Sequence, residues 1–123
     1  MSRVDLRSDT LTLPTDEMRE AMAAAEVGDD VYGEDPTVHH LEEIAAEQVG
    51  MEAALYVPSG AMGNTCAMLS HANHGEEVIF EERAHMFVWE CGAFANIAGL
   101  ASRTLTGPNG IIQPDQLREA IRG

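Results

Sequence analysis

Lysine is missing from this sequence altogether. Its seven basic residues are Arg3, Arg7, Arg19, Arg83, Arg103, Arg118 and Arg122, against 21 Asp and Glu, for a formal charge of −14. Lysine is ordinarily among the commonest residues, while the charged fraction of 23% is unremarkable. The charge mix has therefore moved to acid rather than being thinned. Two exclusions follow. The chain has no means of neutralising a row of phosphates, which removes electrostatically driven binding to nucleic acid or to an anionic membrane. It also cannot by itself carry chemistry that needs a lysine amine, Schiff bases included.

Other scarcities narrow the class further. The two cysteines, Cys66 and Cys91, form neither a CxxC pair nor a disulfide framework. No stretch approaches the roughly 20 apolar residues of a membrane span. The start, Met1-Ser2-Arg3-Val4-Asp5, lacks the apolar centre of a signal peptide. A cytoplasmic chain with reduced thiols is expected. An apolar content of 45% argues against disorder despite the charge. The acids are scattered (Asp29-Asp30, Glu42-Glu43, Glu76-Glu77, Glu81-Glu82) rather than gathered in a tail. Such acidity fits either a salt-adapted, halophilic protein or a local acidic function, and the scatter, which gives a solvated, mutually repelling surface, favours the first.

Residues Val4 to Leu13 read as an extended segment ended by Pro14. Thr15 is placed to cap a helix whose apolar face includes Met18, Ala21, Met22 and Ala25. Gly28 to Pro36 is a long polar loop by its Gly, Asp and Pro content, and so a site candidate. A second helix is expected from about Thr37 to Val49, with Leu41, Ile44, Ala45 and Val49 on one face and Gly50 ending it. A regular alternation follows: strand Ala53–Val57, helix Ala61 to about Ala72, strand Val78–Phe80, helix Met86 to about Asn96, strand Ala101–Leu105, the Gly107–Gly110 turn, and a helix from Pro114 to about Arg122. Strands alternating with helices predict βαβ units and a mainly parallel sheet. Only three short strands precede Gly123, fewer than the usual five or six. The pattern reads as the front of an α/β domain: residues 1–36 an extended segment, helix and loop, residues 37–123 the first part of the α/β layer.

Four places carry candidate chemistry. Val57-Pro58-Ser59-Gly60-Ala61-Met62-Gly63-Asn64 runs from strand through a glycine turn into a helix, where free N–H groups face an anion. It is neither GxGxxG nor a lysine-bearing Walker loop, and by spacing alone a plain tight turn is the simpler reading. His85 lies between a predicted strand and helix, at the carboxyl edge of the sheet where α/β ligands bind. An imidazole there can stack on a flat cofactor, move a proton, or simply bond local backbone. Asp5-Leu6-Arg7-Ser8-Asp9-Thr10 is polar-rich, and the Asp29–Pro36 loop holds Tyr32. By default these are a solvated surface strand and an exposed loop aromatic. His71 and His74 fall at a helix end, His39 and His40 on a charged helix surface, and no three ligands have a zinc spacing. Cys66 and Cys91 each fall in mid-helix and read as packing residues.

Taken in order, Asp5 to Thr10, Val27-Gly-Asp-Asp-Val-Tyr-Gly-Glu-Asp-Pro-Thr37, Glu52-Ala-Ala-Leu-Tyr-Val-Pro-Ser-Gly60 and Ala84-His85 resemble the low-specificity threonine aldolases of the β-eliminating lyase group. The resemblance runs from Arg3 to Gly123. It implies the aspartate-aminotransferase fold (fold type I) and pyridoxal 5'-phosphate as cofactor, with the large domain's sheet incomplete here. It further implies that Gly60, Ala61 and Met62 hold the cofactor phosphate. His85 would stack on the pyridine ring near the substrate hydroxyl. Ser8, with Arg7, would help hold the amino acid's carboxylate. Tyr32 would reach a neighbouring subunit's site in a homodimer or homotetramer.

Two departures stand out. Family members often have Thr where this chain has Ala61. They also run to well over twice this length, and the part absent here includes the Schiff-base lysine, the aspartate that pairs with the pyridine nitrogen, and a substrate-binding arginine. The expectation is thus the N-terminal portion of an enzyme that cleaves L-threonine or L-allo-threonine to glycine and acetaldehyde, inactive alone. The alternatives are a non-catalytic half of a split enzyme or assembly module, and a β-eliminating lyase acting on another amino acid.

Overall fold

The computed structural model describes residues 4–122; Met1, Ser2 and Arg3 of the start read above, and Gly123, lie outside the described residues. The chain divides into two compact units, the first ending at Tyr56 and the second beginning at Val57. The sequence suggests a division after Pro36. The later boundary follows from side chains that tie the second helix back to the loop before it: Asp35 caps that helix and Thr37 Oγ1 donates to the Glu26 carbonyl at 2.6 Å.

The first unit is built from two helices and two short 3-10 turns. Thr15 accepts the Met18 amide and starts α1, Asp16–Ala24, as its sequence predicts. Helix α2 runs Pro36–Val49, with Pro36 in its first turn and Gly50 closing it in the left-handed region (φ +67°). The Val4–Leu13 segment is not extended throughout. Ser8 Oγ accepts the Thr10 amide and turns Asp9–Leu11 into a 3-10 helix. Nor is Ala53–Val57 a strand. The sheet has two strands, both elsewhere, and the Tyr56 amide donates to Glu42 Oε1 at 2.7 Å instead of to a ladder. The expected apolar faces are largely open: Met18, Ala21 and Met22 of α1 and Leu41, Ile44 and Val49 of α2 are exposed, and only Ala46 of α2 is buried.

The second unit holds the sheet. Helix α3, Gly60–His71, leads to β1, Glu77–Glu81, which pairs in parallel with β2, Ala101–Leu105, in the register Glu77 with Ala101 through Glu81 with Leu105. Between the strands lie α4, His85–Val88, and α5, Ala93–Asn96, and α6, Pro114–Ala120, follows. This is the expected βαβ unit, with its crossover helix in two pieces. The single Met86–Asn96 helix does not form because Cys91 (φ +53°) and Gly92 (φ +69°) are both left-handed, which ends one helix and starts another. Cys91 is therefore an exposed link residue rather than a mid-helix packing one.

Met68, Phe80, Ala98 and Leu100 form the buried core here, with Val78, Ala84, Phe87 and Phe94 packed against it. Phe80, Phe87 and Phe94, the chain's three phenylalanines, make one cluster with ring centroids 5.3–5.8 Å apart. Each comes from a different element, so the cluster holds both short helices against β1. His74 packs its ring on the bare backbone of Gly99, where a Cβ would lie 2.1 Å from His74 Cδ2.

Candidate functional site

In the first unit the predicted substrate-binding pair is adjacent but already engaged. Arg7 Nε donates to Asp5 Oδ1 at 2.8 Å; this pairing holds the Asp5 carboxyl below its usual range and pushes the Arg7 guanidinium further up. Ser8 Oγ lies 2.8 Å from Thr10 Oγ1 as well as capping the 3-10 turn. Both residues are exposed. Tyr32 ends the 3-10 helix Asp30–Tyr32 at the tip of the polar loop and is 77% exposed, followed by left-handed Gly33.

That loop is closed by residues for which the sequence suggested no role. Asp35 accepts the amides of Thr37 (3.0 Å) and Val38 (2.9 Å) through Oδ1 and that of Gly28 (3.1 Å) through Oδ2. The Val38 and Gly28 bonds are the main reason its carboxyl lies below the ordinary 3.8. A Cβ on Gly28 would sit 2.2 Å from the Glu34 carbonyl oxygen, so the chain can cross itself here only as glycine. The signal was present as Gly and Asp at the two ends of the block, since an Asp before Pro is a strong helix cap.

In the second unit Ser59 caps α3 and takes the Met62 amide on its hydroxyl at 3.2 Å. Of the three expected phosphate donors, Met62 is thus held by Ser59. The Gly60 and Ala61 amides have no backbone or side-chain acceptor among the described residues. The space a Gly60 Cβ would occupy has nothing within 4 Å. Two free amides at the positive end of a twelve-residue helix, opening on clear space, fit a phosphate group.

His85 opens α4, with its side chain 71% exposed, and its Nδ1 lies 2.8 Å from Oε1 of Glu90, whose side chain is 1% exposed. The same oxygen accepts Asn64 Nδ2 at 2.6 Å, and the other Glu90 oxygen is buried without a partner among the described residues. Asn64 stands one helical turn after Gly60, on the same face of α3. The structure therefore joins the glycine turn and His85, two places the sequence marked separately, through Asn64, the last residue of the glycine-turn motif, and Glu90, neither of which the sequence suggested a role for. Among the described residues no group of His, Cys, Asp and Glu has the arrangement of a metal site.

A parallel β1–helix–β2 unit, a glycine-started helix with open amides, and an imidazole following the neighbouring strand stand together in one α/β layer. The family model described as beta-eliminating lyase matches residues 5–123. The chain belongs to the beta-eliminating lyase family. It is 48% identical over 124 residues to low-specificity L-threonine aldolase 1 of Arabidopsis thaliana, covering 99% of this chain and 35% of that protein. It is 43% identical over 120 residues to the low specificity L-threonine aldolase of Escherichia coli K12, covering 97% of this chain and 36% of that one. An uncharacterized Caenorhabditis elegans protein is 49% identical over 120 residues, 97% of this chain and 29% of its own length. The chain thus spans about a third of the length of these relatives.

Proposed function

We propose that these residues are the N-terminal part of a pyridoxal-phosphate-dependent threonine aldolase, which cleaves a β-hydroxy amino acid such as L-threonine or L-allo-threonine to glycine and an aldehyde. The observation that carries the reading is the pair of open amides at Gly60 and Ala61 tied through Asn64 and Glu90 to the exposed His85 ring. Gly60 and Ala61 would hold the cofactor phosphate by backbone donors, with Met62 contributing as Ser59 releases it. His85 would lie against the pyridine ring. The cofactor, when bound, supplies an electron sink for cleavage of the Cα–Cβ bond. The chain's own part is to orient that group and to accept the proton of the substrate's β-hydroxyl at His85. Ser8 and Arg7 would hold the substrate carboxylate, for which Arg7 exchanges its Asp5 partner. Tyr32, exposed at its loop tip, would serve a neighbouring subunit's site in a homodimer or homotetramer.

No lysine is present in the 123 residues, so the amine that attaches the cofactor must come from outside them, and the chain alone is inactive. A cytoplasmic location suits the chemistry and the free thiols, and among the described residues no helix is long and apolar enough to cross a membrane. Acetaldehyde release from L-threonine tests the reading. The purified chain with pyridoxal phosphate should release none, and the chain completed by a lysine-bearing C-terminal segment should release it. The DNA downstream of Gly123 shows whether such a segment follows. Turnover by the chain alone, or none in the completed protein, overturns the proposal.

A further inference from the structure

We infer that Glu90 is a positioning residue that fixes the tautomer of His85, with Asn64 holding the carboxylate in place. Its catalytic consequence rests on the function proposed above, but the tautomer itself does not.

The geometry leaves little freedom. Glu90 Oε1 accepts from Asn64 Nδ2 at 2.6 Å, an amide nitrogen that can only donate. With Glu90 as a carboxylate, which only accepts, the second bond at that oxygen, 2.8 Å from His85 Nδ1, has the imidazole as donor. With Nδ1 carrying the proton, the neutral ring presents Nε2 as a bare lone pair on a side chain that is 71% exposed. A hydroxyl brought to Nε2 finds an acceptor: its O–H bond breaks, the electron pair stays on oxygen and the proton moves to Nε2. The resulting imidazolium is held by a carboxylate shielded from water, where its attraction is least screened.

The carboxylate has a poor structural reason to be where it is. It is nearly completely buried, yet its Oε2 accepts nothing among the described residues. Buried polar groups without partners are disfavoured, and apolar replacements of buried charges are often neutral or stabilising. Its two bonds join Asn64, one turn into α3, to His85 at the start of α4, next to the two places the cofactor's phosphate and ring would occupy. A residue that serves only packing would not need to accept from both.

The test reads the imidazole directly and needs no cofactor. In the chain labelled with 15N-histidine, at about pH 9 where an unperturbed imidazole is neutral, the His85 nitrogens should report the Nδ1–H tautomer. A charge-assisted hydrogen bond biases the ratio by about tenfold or more. In Glu90→Met, which keeps the volume and removes the acceptor, the ratio should fall by a similar factor toward Nε2–H. The Phe80–Phe87–Phe94 ring resonances report that the fold is retained. Nε2–H dominating in the unsubstituted chain, or Nδ1–H persisting in a folded Glu90→Met, overturns the inference. If Glu90→Met unfolds, the unsubstituted chain decides alone. The Nδ1–H tautomer in a completed protein that cleaves no threonine would count against the proposed function and leave the tautomer assignment supported.

Discussion

The Asp35 carboxylate accepts amides from Gly28, Thr37 and Val38, so one side chain both starts α2 and closes the loop that carries Tyr32. These bonds, with a smaller contribution from the charge of His39, hold the folded carboxyl below the ordinary value of 3.8. A depressed folded value means that the stabilisation is complete above the unfolded value and is lost as pH falls through the lower, folded one. The Gly28 and Val38 amide resonances should therefore shift together in an acid titration with a midpoint below 3.8. In Asp35→Asn that shared step should vanish. Separate midpoints for the two amides would break the assignment to one carboxylate. Gly28 is the second single-residue constraint. Gly28→Ala forces a Cβ into the Glu34 carbonyl, with 2.2 Å between them, and should cost about 1–3 kcal/mol as overpacking does. Faster hydrogen exchange at Gly28 to Asp35, with α3 to α6 unchanged, is the expected readout.

At the scale of elements, the β1–α4/α5–β2 unit hangs on the phenylalanine cluster. Phe80 is 5% exposed and touches rings from both short helices, so Phe80→Ala should cost on the order of 3–5 kcal/mol. Denaturant melts should show that loss. His85, at the start of α4, should lose its bond to Glu90 in the same variant, seen as a changed imidazole signal. Periodicity made α1, α2, α3, β1, β2 and α6 legible, with caps at Thr15 and Gly50 where their residue types predict them. The two short helices after β1, the first opened by His85, read as one in the sequence, because nothing in Glu90-Cys91-Gly92 marks a non-glycine residue as left-handed. The Ala53–Val57 strand was misread for another reason. A short apolar run does not say whether a partner strand exists, and here the sheet offers none. Ser59, Gly60 and His85 were visible as candidates from their positions. The tie between Asn64 and Glu90 was not, because only the fold brings residues 26 positions apart into one hydrogen bond.

For the whole molecule the decisive quantity is the excess of acid. Arg7, Arg83, Arg103, Arg118 and Arg122 each already lie in an ion pair with a carboxylate, so the described cations are largely committed locally. Such surface pairs contribute little, about 0–1 kcal/mol each. The remaining carboxylates repel across a chain of formal charge −14. Added salt shortens the reach of that repulsion from about 10 Å at 0.1 M to about 3 Å at 1 M, and it weakens the few attractive pairs by less than it relieves the many repulsions. The melting midpoint should therefore rise from about 0.1 to about 1 M KCl, by about 4 °C for each kcal/mol relieved. Sucrose, which strengthens burial without screening charge, should not reproduce the dependence on ionic strength. Replacing the Glu42-Glu43 and Glu81-Glu82 pairs by glutamine at the exposed members, Glu43 and Glu82, should flatten the KCl curve by raising its low-salt end. A midpoint that stays level or falls with KCl would show that the acid excess is not a salt adaptation. The fold would then have to be tolerating its charge by spacing the carboxylates apart.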